Sequence, residues 1–222
     1  MNPPKLHTPG ETATRHAAEV LAADELVILP TDTVYGIAAD ADSGRGVEAI
    51  FAAKQRPSGQ PLQLLFSESM PFDRQATLTA DARRLIDELG AGAWTLVVPA
   101  AEGWRSAALA GGATVGVRIP DHPVVSAVVE ALGRPLAATS ANRHGNPSPV
   151  TCAAAIEEVG AFCAVAIDSG AAAHGLDSTV VDFSSEVPRI LREGAIDQRT
   201  VARILGLATI AVVRSVRPEG TR

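Results

Sequence analysis

Four basic side chains stand in or beside Gly- and Pro-punctuated segments of the chain. They are Lys54, Arg56, Arg118 and Arg192. Polar segments that follow strands are where α/β sheets usually bind ligands. Cations supplemented by hydroxyl and amide side chains suit a polyanion such as a nucleoside triphosphate, for which the protein supplies charge neutralisation and positioning. The sequence contains no Gly-x-Ser-x-Gly, His-Glu-x-x-His or Cys-x-x-Cys motif, which disfavours nucleophilic hydrolysis and zinc chemistry.

Arg118 is the most informative of these cations because it lies inside an apolar segment, residues 114–119, that is predicted to be a strand. Desolvating an unpaired guanidinium is costly. The side chain therefore needs a partner, which is either a protein carboxylate or a carboxylate or phosphate of a ligand held by two parallel hydrogen bonds. The sequence leaves both alternatives open.

Lys54 and Arg56 lie two residues apart where a predicted helix ends, before a proline-rich turn. Two cations in this place could bind phosphate. A cation at a helix C-terminus also interacts favourably with the helix dipole. This structural explanation accounts for Lys54 as well as phosphate binding does, and it accounts less well for Arg56.

Three further polar segments could contribute to the same site. Residues 30–36 (PTDTVYG) carry two hydroxyls and a carboxylate, which could hold a ligand or form a turn through local hydrogen bonds. Residues 139–149 (TSANRHGNPSP) could offer backbone donors to an anion, although they match neither a Walker A loop nor G-x-G-x-x-G. Residues 175–182 (GLDSTVVD) place polar side chains where a strand is predicted to begin.

The composition predicts a folded, acidic, cytoplasmic protein. Hydrophobic residues make up 46% of the 222 residues and charged residues 20%, which excludes global disorder. The net charge of −6 argues against coating nucleic acid, so an anionic ligand must meet a local basic cluster. No apolar run is long enough for a membrane span, and the N-terminus lacks the pattern of a signal peptide. Cys152 and Cys163 are predicted to be buried, reduced thiols.

Predicted strands and helices alternate irregularly, with several strands in succession late in the chain. The predicted strands are 26–30, 62–66, 94–98, 114–119, 135–140, 164–168, 178–183, 189–191 and 209–213. The first predicted helix is capped by Thr12 or Thr14 and ends near Ala23, and the other predicted helices cover 44–54, 81–89, 123–132, 151–159 and 200–205. This order predicts an α/β fold with a twisted mixed sheet and helices on its faces. We expect one domain over residues 1–222, with loose tails at 1–10 and 217–222.

Six segments, in this order, resemble the YrdC-like family of threonylcarbamoyl-AMP synthases. They are PTDTVYGIAADA, KQRPSGQPL, VGVRIPDHP, TSANRHGNPSP, LDSTVVDF and ILREGAI, within residues 26–196. Each segment alone is modest evidence, but six in the same order argue strongly against chance. The resemblance implies a twisted α/β sheet around a concave, basic cavity, in the short, single-domain form of the family.

The resemblance also implies a reaction and a set of site residues. L-threonine, bicarbonate and ATP would condense to threonylcarbamoyl-AMP and pyrophosphate, for the t6A37 modification of tRNA. Thr33, Arg118 and Ser178 would bind threonine, with Arg118 on its carboxylate. The residues implied around ATP are Lys54, Arg56, Gln60, Thr114, Ser140, Asn142, Ser148 and Arg192. Lys54 and Arg56 would also stabilise developing charge, and no protein nucleophile is needed. Mg²⁺ would accompany ATP, held by phosphate oxygens and water rather than by protein ligands.

Four positions depart from the family pattern. Leu65 replaces a usual His near threonine, Gln60 replaces Asn or Lys, Asp177 replaces Glu, and His144 replaces Ser. Leu65 raises the question of whether threonine is the amino acid used. One alternative is a YrdC-like paralogue that forms or transfers another carbamoyl group. Another is an RNA-binding or ribosome-associated module, which the acidic charge and the few aromatic residues disfavour. The expected partners are the three substrates and a downstream tRNA threonylcarbamoyl transferase, with weak or no direct RNA binding.

Overall fold

The computed structural model describes residues 3–55 and 59–213. Its strands are β1 (Lys5–His7), β2 (Leu26–Leu29), β3 (Gly36–Asp40), β4 (Gln63–Leu65), β5 (Trp94–Pro99), β6 (Thr114–Arg118), β7 (Leu136–Ser140), β8 (Cys163–Ile167), β9 (Thr179–Asp182), β10 (Arg189–Arg192) and β11 (Ala211–Val212). Its α-helices are α1 (Glu11–Ala22), α2 (Gly44–Lys54), α3 (Ala80–Leu89), α4 (Pro123–Leu132), α5 (Cys152–Val159) and α6 (Gln198–Leu205). Short 3-10 helices cover Ala107–Leu109 and Gly160–Phe162.

These strands form one twisted, mixed sheet. Its order from edge to edge is β1, β8, β2, β3, β7, β4, β6, β5, β9, β10, β11. Some neighbours are parallel, such as β2 with β8 and β4 with β6, whereas β3 runs antiparallel to both β2 and β7. The predicted mixed α/β sheet with helices on its faces is therefore confirmed.

Helices cover the two faces of the sheet unequally. On one face, residues such as Val117 and Val181 belong to the larger core, which includes apolar residues of α2, α3, α5 and α6. On the other face, α1 and α4 pack on β2, β3, β7 and β8 through a smaller core that includes Val125 and Leu136. Among the described residues, none from β5, β6 or β9 belongs to this smaller core. Their side chains on that face are therefore available to line a cleft.

Local capping signals fix the ends of α2 and α4. α2 covers the predicted 44–54, and the Ser43 hydroxyl accepts a hydrogen bond from the Gly46 amide at 2.9 Å. α4 begins at Pro123, where a missing N–H costs nothing. It ends at Gly133, whose φ of 71° is the left-handed conformation that glycine adopts readily.

One prediction about the first forty residues is wrong, and one strand there was not predicted. Residues 1–10 are not a loose tail, because β1 within them pairs in parallel with β8. Residues 36–40 form a strand that the sequence did not indicate, since Gly, Ala and Asp are poor strand formers. Tertiary context overrides that preference, because β3 is entirely buried between β2 and β7. The other predicted tail, 217–222, lies outside the described residues.

None of the helices in the described ranges 3–55 and 59–213 is long and apolar enough to cross a bilayer.

Gly194 allows the β10 end of the chain to approach the backbone that opens β9. A Cβ atom at this position would lie 2.2 Å from the carbonyl oxygen of Asp177 and 2.6 Å from the carbonyl carbon of Ser178. Backbone atoms cannot swing aside as a flexible side chain can, so Gly194→Ala should displace Ser178 and lower the free energy of unfolding by about 1–3 kcal/mol.

Urea unfolding followed by circular dichroism measures this loss. The matched control is Gly44→Ala, because a Cβ at Gly44 meets nothing within 4 Å. The control should be as stable as the original protein or up to about 1 kcal/mol more stable, because alanine loses less backbone entropy than glycine on folding. Equal stability of the two variants would contradict the expected clash.

Candidate functional site

The open part of the sheet face forms a cavity of about 250 Å³. Its floor consists of side chains from β4, β5, β6, β7 and β9. Six residues predicted from sequence line it together: Thr33, Thr114, Arg118, Ser140, Ser178 and Arg192. These residues come from segments spread over most of the chain, and the topology of the sheet brings them to one place.

Arg118, at the end of β6, is held from three sides. Its Nε donates to the carbonyl of Gly92 at 3.0 Å, Nη1 to the hydroxyl of Thr33 at 3.0 Å, and Nη2 to Oδ1 of Asp32 at 2.7 Å. The arginine and aspartate side chains are only 3% and 5% exposed. The partner that the sequence left open is therefore a protein carboxylate, supplemented by a hydroxyl and a carbonyl.

The charge of Arg118 survives this burial. Burial lowers the pKa of the guanidinium, and the neighbouring Asp32 carboxylate opposes that shift. A guanidinium stays protonated at any physiological pH. It has five N–H groups, and three of them donate to the partners above. No group in the described part of the chain accepts from the other two, so Arg118 can still bind an anion in the cavity that it lines.

The segment 31–34 is both a turn and part of the site. The hydroxyl of Thr31 accepts from the amides of Thr33 and Val34, each at 3.2 Å, and donates to the carbonyl of Val34 at 2.6 Å. These local hydrogen bonds confirm that the motif forms a turn. They also fix the backbone that presents Asp32 and Thr33 to Arg118. The same turn is therefore part of the cavity, as a ligand-binding role requires.

A row of hydrogen bonds crosses the cavity floor from the end of β10 to β4. Nη2 of Arg192 donates to Oγ of Ser178 at 3.1 Å, Oγ of Ser178 lies 2.8 Å from Oγ1 of Thr95, and Thr95 donates to Oε1 of Gln63 at 2.7 Å. Thr95 and Gln63 also line the cavity. Neither was singled out from the sequence, where they are single polar residues in apolar runs.

Asp177 and Ser148 close one side of the cavity. Asp177 lines it, accepts a hydrogen bond from the hydroxyl of Ser148 at 3.0 Å, and pairs with Nη1 of Arg192 at 3.4 Å. Ser148, a predicted ATP-binding residue, thus contacts a residue that lines the cavity and does not line it itself. Asp177 is a carboxylate of the site that was noted in the sequence only as a departure from the family pattern.

Lys54 and Asn142 lie behind the cavity wall rather than on it. The Lys54 ammonium is buried and donates to the backbone carbonyls of Ser140 and Asn142, each at 2.5 Å. The Asn142 side chain donates to the carbonyls of Arg143 and Asn146. Both residues therefore order the end of β7, where Ser140 lies, and the loop that follows it. Direct contact of Lys54 or Asn142 with a nucleotide stays a prediction.

The remaining predicted positions are not among the described residues that line the cavity. Gln60 is exposed and next to the cavity residue Pro61. Arg56 lies outside the described residues. Leu65 is buried in the smaller core against α1 and α4, so the position where the family has histidine gives the cavity no polar atom here.

The structure is thus an α/β protein whose mixed sheet carries an open cleft with a buried arginine and a floor of hydroxyls, an arrangement that suits a polar, anionic ligand. The model of the Sua5/YciO/YrdC family, described as telomere recombination, matches residues 19–194. The chain belongs to this family, which confirms the resemblance found from its motifs.

Known relatives support this assignment. The chain is 34% identical over 192 residues to the threonylcarbamoyl-AMP synthase of Bacillus subtilis. The matched region is 86% of this chain and 56% of that protein. It is 33% identical over 197 residues to the threonylcarbamoyl-AMP synthase of Pyrococcus abyssi. That match spans 88% of this chain and 58% of the relative. The chain therefore spans little more than half the length of these curated relatives.

A solved structure agrees with the fold. The crystal structure of P. abyssi Sua5 complexed with L-threonine superposes with a TM-score of 0.89 at 30% identity, covering 98% of this chain and 64% of that chain.

The Arg118–Asp32 pair should show strong energetic coupling. Arg118→Met or Asp32→Asn alone leaves one buried charge without its counter-charge, so each variant should lose about 3–5 kcal/mol of unfolding free energy. Arg118→Met/Asp32→Asn removes both charges and should lose clearly less than the sum of the single losses.

Urea denaturation of the four proteins in this double-mutant cycle measures the coupling. The control is Arg83→Met, because Arg83 pairs with Asp73 at 3.6 Å while both side chains are more than half exposed. That variant should lose less than about 1 kcal/mol. Additive losses at Arg118 and Asp32 would contradict the assigned pairing.

Proposed function

We propose that this protein is an L-threonylcarbamoyladenylate synthase, an ATP-dependent nucleotidyltransferase that supplies the intermediate for t6A37 modification of tRNA. The observation that carries the proposal is the geometry of Arg118, which lies buried at one end of a polar cavity with two N–H groups left for an anion. Relatives in the family are named for this reaction, and a similar structure was solved with L-threonine.

Threonine would bind at the Arg118 end of the cavity. A carboxylate on the remaining guanidinium N–H groups forms charge-assisted hydrogen bonds, the strong kind. The hydrogen bonds that Arg118 donates to Asp32, Thr33 and Gly92 hold the guanidinium in one orientation. Little side-chain entropy is therefore lost when the carboxylate arrives. Thr33 reaches the ligand from the same side, because it lines the cavity next to Arg118.

The nucleotide would bind toward the other end of β6. Thr114 and Arg118 are the two ends of this strand, and four residue steps in a strand span about 13 Å. Thr114, Ser140 and Arg192 line the cavity. They would meet the phosphates, while Lys54 fixes the end of β7, where Ser140 lies. We assign Arg56 to the phosphates from its motif alone.

The proposed reaction needs positioning rather than a protein nucleophile. The amine of threonine attacks bicarbonate, water leaves, and an N-carboxylate forms. One oxygen of this carboxylate then attacks the α-phosphorus of ATP in line and expels pyrophosphate. Holding the three substrates together supplies the entropic part of the acceleration, and the arginine side chains stabilise the negative charge that spreads in the transition state.

Mg²⁺ fits this site as an ion brought by ATP. Within the described residues there is no group of three or more His, Cys, Asp or Glu side chains that could hold a metal. The carboxylate that lines the cavity, Asp177, already pairs with Arg192 and accepts from Ser148. Phosphate oxygens and water would therefore supply the coordination, as this ion prefers. When bound, Mg²⁺ would neutralise part of the triphosphate charge.

The structure gives the alternative functions less support than the synthase. An RNA-binding module for single strands uses exposed aromatic rings to stack bases, and the described lining of the cavity contains no aromatic residue. RNA affinity that falls with salt, without ATP turnover, would favour that alternative. We further propose that the product passes to a downstream tRNA threonylcarbamoyl transferase and that the protein is cytoplasmic.

Pyrophosphate release tests the proposal. The protein, given ATP, Mg²⁺ and bicarbonate, should release pyrophosphate only when threonine is added, and a panel of the other amino acids should give little release. Arg192→Met removes one charge-assisted contact and should raise the KM for ATP by about tenfold or more. Dependence on a different amino acid would support the paralogue, and no release with any amino acid would overturn the proposal.

The matched control is Arg199→Met, which removes an exposed arginine from α6. It should leave the KM for ATP within about twofold of the original protein, as expected for a surface substitution. Equal effects of the two substitutions would show that Arg192 acts only through the overall charge.

A further inference from the structure

The hydrogen bonds on the cavity floor have one direction. Thr95 has a single hydroxyl proton, which it donates to Oε1 of Gln63 at 2.7 Å. Ser178 must therefore donate its own proton to Thr95, across the 2.8 Å that separates the two oxygens. Arg192 donates to Ser178 at 3.1 Å. Protons thus point from Arg192 toward Gln63 along the whole row.

This direction determines what the floor can offer a ligand. The protons of both hydroxyls are already used within the row. Each oxygen has two lone pairs, and one lone pair of each is occupied, by Arg192 on Ser178 and by Ser178 on Thr95. Ser178 and Thr95 therefore present one acceptor lone pair each. A group that binds there has to be a hydrogen-bond donor.

The charge of Arg192 selects a neutral donor over a cationic one. An ammonium bonded to Oγ of Ser178 would lie close to Nη2 of Arg192, which donates to the same oxygen. Like charges this close repel each other, and solvent screens only part of this repulsion because the Arg192 side chain is 48% exposed. Asp177 reduces the repulsion only in part, because it pairs with the other terminal nitrogen, Nη1, at 3.4 Å. A hydroxyl meets no such cost.

The surroundings fit a hydroxyl carried by a short branched side chain. Val180 is the register partner of Thr95 in the neighbouring strand, and Val97 follows Thr95 on the same face of β5. Both valines line the cavity. Acceptor oxygens beside apolar methyl groups match a carbon atom that bears one hydroxyl and one methyl group.

We propose that Thr95 and Gln63 are positioning residues that hold Ser178 as an acceptor for the side-chain hydroxyl of the amino acid substrate, and that this row determines the preference for a β-hydroxy amino acid. This inference rests on the proposed synthase function. It explains how a cavity with Leu65 in place of the family histidine can still recognise threonine, because the acceptors come from β5 and β9 instead of that position.

The test compares threonine with 2-aminobutyrate, which has the same carbon chain without the hydroxyl. The ratio of kcat/KM for the two amino acids is measured by pyrophosphate release with ATP, Mg²⁺ and bicarbonate. The original protein should prefer threonine by about a hundredfold or more, because a site built for a hydroxyl rejects the analogue that lacks it. Thr95→Val keeps the side-chain shape and should reduce this preference by about tenfold.

Thr95→Ser retains the hydroxyl and should restore the preference, which a purely structural role of the Thr95 methyl group would not predict. Gln63→Leu removes the acceptor at the end of the row and should also weaken the preference, and it keeps the test informative if Thr95→Val does not fold. Thr77→Val, at an exposed position away from the cavity, is the matched control and should leave the ratio unchanged.

The outcomes separate this inference from the proposed function. If the original protein uses threonine and Thr95→Val loses activity equally with both amino acids, the row does not recognise the side-chain hydroxyl of the amino acid. The inference is then wrong. An unchanged ratio in both Thr95→Val and Gln63→Leu overturns it as well. If the original protein releases no pyrophosphate with threonine, the proposed function itself fails.

Discussion

A buried guanidinium in the middle of a sheet is the constraint around which the site is built. Arg118 would be prohibitively costly without a counter-charge at hydrogen-bond distance, and Asp32 supplies it at 2.7 Å. Asp32 and Thr33 follow β2, while Gly92 precedes β5, so segments distant in sequence must be placed together before the charge is satisfied. The bonds within the 31–34 turn therefore contribute to the stability of the site as well as to the local backbone.

The cavity exists because the sheet is wider than the two helices that cover that face. α1 and α4 bury the half of the face formed by β2, β3, β7 and β8, and the described strands β5, β6 and β9 carry polar or small residues beyond them. Gly116 shows how closely this floor is fitted. A Cβ there would lie 3.3 Å from both the Gln63 Cβ and the Thr95 Cγ2. A larger residue would press apart the two side chains that end the hydrogen-bonded row.

Sequence reasoning predicted elements with strong local signals and missed those decided by tertiary contacts. α2 and α4 begin and end as predicted because capping residues and glycine act within a few residues. β3 was missed because its burial comes from neighbouring strands. The pairing of Arg118 with Asp32 joins residues 86 positions apart, so no local pattern could reveal it. The motifs indicated most of the cavity lining, whereas Thr95 and Gln63 carry no signal until β4, β5 and β9 are assembled.

Each described cation of the site has hydrogen-bond partners within the protein. Arg118 pairs with Asp32, Arg192 with Asp177, and Lys54 donates to backbone carbonyls. These partners fix the directions of the cationic side chains within a chain whose net charge is −6. An anionic ligand gains less from bulk attraction than from the few N–H groups still aimed at it, whose direction is fixed by the internal partners. Such an arrangement favours geometric selection among anions over affinity for charge alone, because a ligand that does not match those directions recovers no hydrogen bond for its lost hydration.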